Sequence, residues 1–280
     1  RTINYIGQSR AAANFFGGDI RNFFIWNRVI TAEEIAFLYD DGFLKYTNLA
    51  DNLIMKLPFN GNTNDETDRY NGTLTADASA SLSWHGYRYV LDLDGTGDYV
   101  DLPDINIDWA GAGFTFSLWV YFDALTTDRA IFVFADNSAN DNYLIDLYAE
   151  TSDSSFRFRI YNAAGVSQLS LNSGASTVAI NTPYHIVVTI NANGAATMYI
   201  NNSSAATGTA TTMPPARLRG TNFIGNWRDG TLDMDGKVWD FTLWTRVIST
   251  ADIHNIYEAG KFQSRWSGFI ETMGEDPEDE

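Results

Sequence analysis

Residues 114–122 alternate without a break. Phe114, Phe116, Leu118, Val120 and Phe122 fall on one side of an extended chain, and Thr115, Ser117, Trp119 and Tyr121 on the other. A period of two predicts a strand with one face in a core. Apolar stretches of strand length recur at 53–59, 130–135, 143–149, 156–161, 184–190 and 196–201, and 89–103 reads as two short strands around Gly95 and Gly97. Asn193-Gly194 predicts a type I′ hairpin between the last two stretches. Many short strands with turn signals between them predict an all-β antiparallel β-sandwich.

One pattern occurs twice. Residues 4–42 align without a gap onto 222–260, and thirteen of the 39 pairs are identical. They include Gly7/Gly225, Gly18/Gly236, Phe23/Phe241, Trp26/Trp244, Arg28/Arg246, Ile35/Ile253, Tyr39/Tyr257 and Gly42/Gly260. Glycines and tryptophans kept in register over that length argue for duplication rather than chance. Each copy reads as a short strand ending in Ile-Gly, a polar loop, an alternating strand and one short C-terminal helix. Thr31 or Ser249 is the expected N-cap, with Glu34 or Asp252 three residues on. Gly42 or Gly260 is the expected C′ residue.

Four landmarks carry a resemblance. They are the opening strand with its Asn/Asp loop (57–73), LDGTGDYVDLP (93–103), FTFSLWVYF (114–122), and TPYHIVVTINANGAATMYINN (182–202) ahead of the closing module. In this order they resemble the laminin-G-like, concanavalin A-like jelly roll of the lectin/glucanase superfamily. The resemblance implies a complete domain at 46–262. Residues 1–45 would then be only the closing module, strands plus helix, of a preceding or partner domain. That module holds too few elements to bury its own apolar faces. It would dock on the main domain, complete a neighbour, or belong to a domain upstream. The chain opens on Arg1, and residues 1–20 lack a basic-then-apolar signal pattern. A piece of a longer chain is therefore expected. Residues 263–280, with six acids in the last ten, read as a solvated acidic tail.

Composition narrows the function. Asp and Glu number 35 against 18 Lys and Arg, a net charge of −17. A nucleic-acid surface needs the opposite balance, so no nucleic-acid partner is expected. There is no cysteine, which removes disulfides, thiolate metal sites and a Cys nucleophile. No apolar run reaches 18 residues, so no membrane insertion by a helix is expected.

Glucanase relatives of this fold carry clustered carboxylates on one strand, of the type Glu-x-Asp-x-x-Glu, because the chemistry needs two acids close in space. No such strand is seen here. Glu150 and Asp153 are expected in a loop, and Asp146 is the only acid of its strand. The three histidines, His85, His185 and His254, stand alone in sequence, and a core or surface role is expected of each. The chain is therefore expected not to be an enzyme. A glycoside hydrolase or lyase is the third of three readings.

The resemblance also implies a structural Ca²⁺ in the loop after the first strand, with an acid from the closing strand. The residues at those positions are Asn64, Asp65, Asp68 and Asp240. A polar loop held by Asx-turns is the alternative. For a sugar ligand, aromatic rings beside polar loops are needed. Trp227, Trp84, Tyr87 and Trp109 meet that condition, with Trp119 and Tyr121 on the polar side of their strand. Trp227 stands out, since its counterpart in the other copy is Ser9. The leading reading is a non-enzymatic recognition and assembly module, carbohydrate-binding, in a longer multi-domain protein. It would be extracellular, on a cell surface or on a virion, with a glycan or a neighbouring subunit as partner. A purely structural virion or adhesin scaffold is the alternative.

Overall fold

A computed structural model describes residues 49–76, 78–84, 88–136, 143–227 and 230–270, with the side chains at 80–84, 88 and 261–270 left outside that description. The first copy of the repeat, the placement expected for residues 1–45, and the acidic end beyond 270 lie outside the described residues.

In chain order the strands are β1 (Leu53–Leu57), β2 (Thr73–Thr75), β3 (Ser79–Trp84), β4 (Arg88–Asp94), β5 (Tyr99–Asp101) and β6 (Ile105–Ile107). Then come β7 (Phe114–Phe122), β8 (Arg129–Ala135), β9 (Ile145–Glu150), β10 (Ser155–Tyr161), β11 (Ser167–Asn172) and β12 (Tyr184–Ile190). The last are β13 (Ala195–Ile200), β14 (Ser203–Thr209), β15 (Arg217–Arg219), β16 (Thr221–Ile224) and β17 (Asp235–Trp244), followed by helix α1 (Thr250–Ile270). An eight-stranded sheet runs β14-β13-β12-β7-β17-β4-β3, with β1 also paired to β17. A seven-stranded sheet runs β11-β10-β9-β8-β16-β5-β2, and β15 pairs with β6 alone. The pairings are antiparallel, as the alternation requires.

The inner faces of the two sheets meet in one core. Phe114, Phe116, Leu118, Val120 and Phe122 of β7 pack there with Phe132 and Phe134 of β8, Phe156 and Phe158 of β10, and Phe241 of β17. Phe116 lies at the centre, 4.6 Å from Phe132 and 5.6 Å from Phe134 between ring centroids. Each ring buried at this density contributes roughly 1.5–3 kcal/mol over leaving it in water.

The other face of β7 is covered as well. Trp119 stacks on Trp239 and on Tyr257 of α1, at 5.7 Å in each case. Trp119 is 4% exposed, so it is packing rather than a solvent-facing ring. The repeat residues Trp244 and Arg246 reach back to the chain entering β1. Trp244 Nε1 donates to the Leu49 carbonyl (2.7 Å) and Arg246 Nε to the Asp51 carbonyl (2.8 Å).

Three local expectations change. The β12–β13 connection is not a two-residue type I′ turn. The strands end at Ile190 and Ala195, and Asn191 Oδ1 accepts the N–H groups of Asn193 and Ala195. Gly194 takes φ +82° and Asn193 keeps a negative φ, whereas type I′ needs positive φ at both central positions. Helix α1 starts as expected, with Ser249 Oγ accepting the Asp252 N–H and Asp252 Oδ2 accepting the Ser249 N–H. It does not stop at Gly260 but runs to Ile270, so the segment after 262 begins helical rather than as a tail. Gly260 serves close approach to Trp119, not capping.

Candidate functional site

The outward face of the seven-stranded sheet carries a polar and aromatic cluster on β9 and β10. In β9, Ile145, Leu147 and Ala149 point into the core; in β10, Phe156, Phe158 and Ile160 do. The pleat therefore turns Asp146, Tyr148 and Glu150 outward beside Arg157, Arg159 and Tyr161. The register sets Arg159 directly opposite Asp146, and Arg157 opposite Tyr148.

Arg159 grips Asp146 with two nitrogens, Nε to Oδ1 at 3.2 Å and Nη2 to Oδ2 at 2.5 Å. Asp146 has no exposed side-chain surface, while Arg159 keeps 22% of its own. The guanidinium carbon lies 4.3 Å from the Tyr148 ring centroid, 5.5 Å from Tyr161 and 5.4 Å from Trp227. Burial alone would lower the Arg159 pKa, but the Asp146 charge and hydrogen bond outweigh it and raise it. Burial, with smaller contributions from Glu150 and Asp146, pushes the Tyr148 hydroxyl up to about 12 against the opposing pull of Arg159. Tyr148 therefore stays a neutral donor at any physiological pH. Next along the face, Arg157 Nε sits 2.6 Å from Glu150 Oε2 and its Nη2 3.0 Å from Asp153 Oδ2.

Trp227 reaches this cluster from the turn after β16. Its N–H donates to the Thr231 carbonyl, and its carbonyl accepts from Gly230. Beside it Asn226 Nδ2 donates to Asp233 Oδ1 (2.6 Å). The indole is 8% exposed and packs with Ala130, Val133, Ala135 and Leu144 on the outward side of the sheet.

The other sequence candidates separate. Trp109 is a correction, because it has no exposed surface and stacks at 5.9 Å on Phe116 in the core. The reason is the same two-residue period, which sends Ile105, Ile107 and Trp109 inward and leaves Asn106 and Asp108 outside. The side chains of Trp84 and Tyr87 lie outside the described residues. Glu150 is the last residue of β9 rather than part of a loop. His185 is a core residue, 1% exposed, and His254 lies at the surface with Nδ1 2.9 Å from Asn202 Nδ2.

Arg159, Tyr148 and Tyr161 are not marked out by acids or aromatic residues taken one position at a time. The signal was there in pairs. LIDLYAE and FRFRIY alternate in matched phase, so antiparallel pairing must set charged and aromatic residues side by side on one face.

The loop after β1 is organised by Asp65, 1% exposed. Its Oδ1 accepts the N–H groups of Lys56 (2.8 Å) and Thr67 (3.0 Å). Its Oδ2 accepts the Thr67 hydroxyl (2.6 Å) and the N–H groups of Arg69 (3.2 Å) and Tyr70 (3.0 Å). Burial would raise the pKa of this carboxyl, and those hydrogen bonds more than reverse it, leaving it lowered. Asn64 donates its N–H to Asn62 Oδ1, and the Asp68 N–H donates to the Asp65 carbonyl. Asp240 occupies the irregularity of β17, with φ +51°. Calcium needs oxygens turned toward it. Asp65 is instead ringed by five hydrogen donors, and no three carboxylate or imidazole groups cluster to hold a metal among the described residues. Asp65 therefore turns its oxygens to its own chain and not to an ion, and the Asx-turn alternative describes its surroundings.

Comparison with known proteins agrees with this fold. A family model described as the concanavalin A-like lectin/glucanases superfamily matches residues 94–254. No curated protein matches the sequence. Among solved structures, domain 4 of AbnA, an extracellular arabinanase from Geobacillus stearothermophilus in complex with arabinotriose, superposes with a TM-score of 0.59 and 18% identity. That match covers 73% of this chain and 98% of the domain. The receptor binding domain of botulinum neurotoxin D gives a TM-score of 0.56 and 16% identity, over 75% of this chain and 53% of that one. The sialidase of Trypanosoma rangeli gives 0.55 and 16%, over 76% of this chain and 33% of that one. The chain thus spans about half the length of the toxin domain and a third of the sialidase. At these identities the likeness is one of fold.

Proposed function

The chain belongs to the concanavalin A-like lectin/glucanase superfamily, and from that premise we propose that it is a non-catalytic carbohydrate-recognition module whose ligand lies against the outward face of β9 and β10. One observation carries the reading. Arg159 is locked by buried Asp146 and lies over Tyr148, with Tyr161 and Trp227 at its sides. Aromatic ring surface beside a fixed fork of N–H donors suits a sugar, which has an apolar C–H face and an equator of hydroxyl acceptors. Prior ion pairing holds the donors in place, so little ordering remains to oppose binding. That arabinanase domain, described in complex with arabinotriose, is a carbohydrate-bound example of the same fold.

The absence of catalysis is part of the proposal. Glycoside hydrolysis needs one acid that can give up a proton and a second that is free to attack or to activate water. Asp146 and Glu150 share a face of β9, but each is engaged by an arginine of β10. Such a module would act at a cell surface, outside the cell or on a virion, within a larger protein.

A glycan array on the full chain tests this. Binding of a neutral glycan should weaken by about fivefold in Tyr161→Ala, since one ring-stacking contact is worth roughly 1 kcal/mol. Tyr161 is half-buried, so this variant avoids the core cavity that Trp227→Ala would leave. Equal binding by wild type and Tyr161→Ala sinks the assignment of this face. Turnover of a polysaccharide that disappears in Glu150→Gln sinks the non-catalytic reading.

A further inference from the structure

One wall of the sandwich is built without charge. After Arg159 the next charged residue is Arg217, although the chain holds 18 basic and 35 acidic residues. The histidine between them, His185, is buried, and burial lowers its pKa. This stretch forms β11, β12, β13 and β14. Strand β14 ends the eight-stranded sheet and β11 ends the seven-stranded one. The two ends lie together. The Thr211 N–H donates to the Gln168 carbonyl (2.9 Å) and its hydroxyl to Gln168 Oε1 (2.6 Å), while a Cβ on Gly208 would meet Leu171 at 2.9 Å.

We propose that the open edge of β14 is a self-association surface, on which a second copy of this chain pairs its own β14 antiparallel across a twofold axis and so joins the two eight-stranded sheets. Strand β14 lies in the other sheet from β9 and β10, so the proposal stands apart from the glycan reading.

The backbone supplies the attraction. Strand β14 is bonded on one side, to β13, and no strand pairs with its other side among the described residues. Such an edge presents N–H and C=O groups that another strand can take up. Natural edges are commonly blocked by a charged side chain or a proline. The strand SSAATGT has neither. Its register with β13 is regular from Ala206 to Thr209, and Thr207 and Thr209 are exposed. Side chains this small leave room for a copy of the same strand. The β11 edge is less open, because the Gln168 carbonyl is taken by Thr211 and Asn172 Nδ2 donates to Asp153 Oδ2 (3.1 Å).

Charge selects the partner. Two copies at −17 repel each other over most of their surface. The wall formed by residues 160–216 is where they can touch without setting carboxylate against carboxylate. A basic partner would be drawn to the acidic faces instead. An identical neutral edge meets neither objection. Antiparallel pairing of one strand with itself is isologous, so it closes at two copies rather than propagating through that edge.

Sedimentation equilibrium of the full chain tests this. A reversible monomer–dimer equilibrium is expected between micromolar and millimolar concentration. Raising the salt from about 0.01 M to about 1 M shortens the Debye length from roughly 30 Å to roughly 3 Å. That should tighten the dimer several-fold, the opposite of a contact made by ion pairs. The double variant Thr207→Lys/Thr209→Lys should weaken it by at least about tenfold, by placing like charges on facing strands. The added lysines lower the overall repulsion, so weakening can come only from the edge itself. Both positions are exposed, and lysine is a common edge residue, so the variant should fold. Thr73→Lys, on the end strand β2 of the other sheet, should not weaken the dimer. The chain has no cysteine, so Thr207→Cys supplies a sole thiol. A short bismaleimide should link it to a second copy and should leave Thr73→Cys unlinked. A chain that stays monomeric throughout overturns the proposal. So does a dimer that survives the lysine pair, or one that Thr207→Cys fails to link, because the contact then lies elsewhere.

Discussion

Gly260 lies against the indole of Trp119, so close that a Cβ built on the glycine would fall 2.3 Å from Nε1, 2.6 Å from Cε2 and 2.7 Å from Cζ2. The indole cannot step aside, because Trp239 and Tyr257 are stacked on it. In an exposed helix, Gly→Ala gains about 1 kcal/mol. Here Gly260→Ala should lose stability instead, by up to about 2 kcal/mol net, since overpacking costs about 1–3 kcal/mol against that gain. Urea denaturation of the two proteins measures it, and a stabilised alanine variant would show that the helix is not seated on Trp119.

The Arg159–Asp146 pair should fail asymmetrically. Asp146 is fully buried, while Arg159 can still reach water. Arg159→Met leaves a buried carboxylate without its cation and should cost about 3–5 kcal/mol. Asp146→Asn should cost less, because the guanidinium can turn outward along its own stem. The double variant Asp146→Leu/Arg159→Met should recover most of the loss. Urea midpoints for the three variants decide this, and equal losses in the two singles would contradict the burial difference.

Much of the fold was legible because period-two alternation is a local signal. The core residues of β7 and the capping box of α1 appear where the pattern set them. Other features depended on what lies across the fold. Gly260 reads as a helix stop until Trp119 is placed beneath it. Short strands such as β2 and β15 hold three residues each, too few to show a period. Trp109 looked solvent-facing from its polar neighbours, yet those neighbours are the outward half of an alternation that buries the ring. The site was harder still. Trp227 was visible as a ring without a counterpart in the repeat. Arg159 became interesting only once the β9–β10 register put it opposite Asp146.

Removing calcium should change nothing measurable in the loop after β1. Asp65 already receives five hydrogen bonds from its own chain. A bound structural ion at 100 times its dissociation constant would contribute about 2.7 kcal/mol. Thermal unfolding with millimolar CaCl₂ and with excess EDTA should therefore give the same midpoint. Asp65→Ala, in contrast, should unfold earlier in both buffers, because it strands those donors. A calcium-dependent rise of several degrees would restore the ion.

His185 should make stability depend on pH in a window where few other groups titrate. Its ring is 1% exposed, with Nε2 2.9 Å from Ser117 Oγ and Nδ1 without a partner. Trp119 at 5.0 Å and Tyr257 at 5.9 Å flank it. Burial lowers its pKa to about 3, against 6.5 for an exposed imidazole. The unfolded chain therefore binds a proton between those values while the folded one does not. The sign follows. Stability is full above about pH 6.5, declines as the pH falls through the window, and stops changing from this source below about pH 3. The slope approaches about 1.4 kcal/mol per pH unit at its steepest. Asp65 contributes only lower down, whereas burial raises Asp101 and Asp235 toward this interval, so the difference between wild type and a His185 variant from pH 6 to pH 4.5 isolates the histidine. Urea denaturation across that interval should show the decline in the wild type. His185→Gln keeps a hydrogen-bonding partner for Ser117 without a titrating group, and should flatten it. A wild-type profile that is already flat would mean that the ring is charged, or reaches water, in the folded protein.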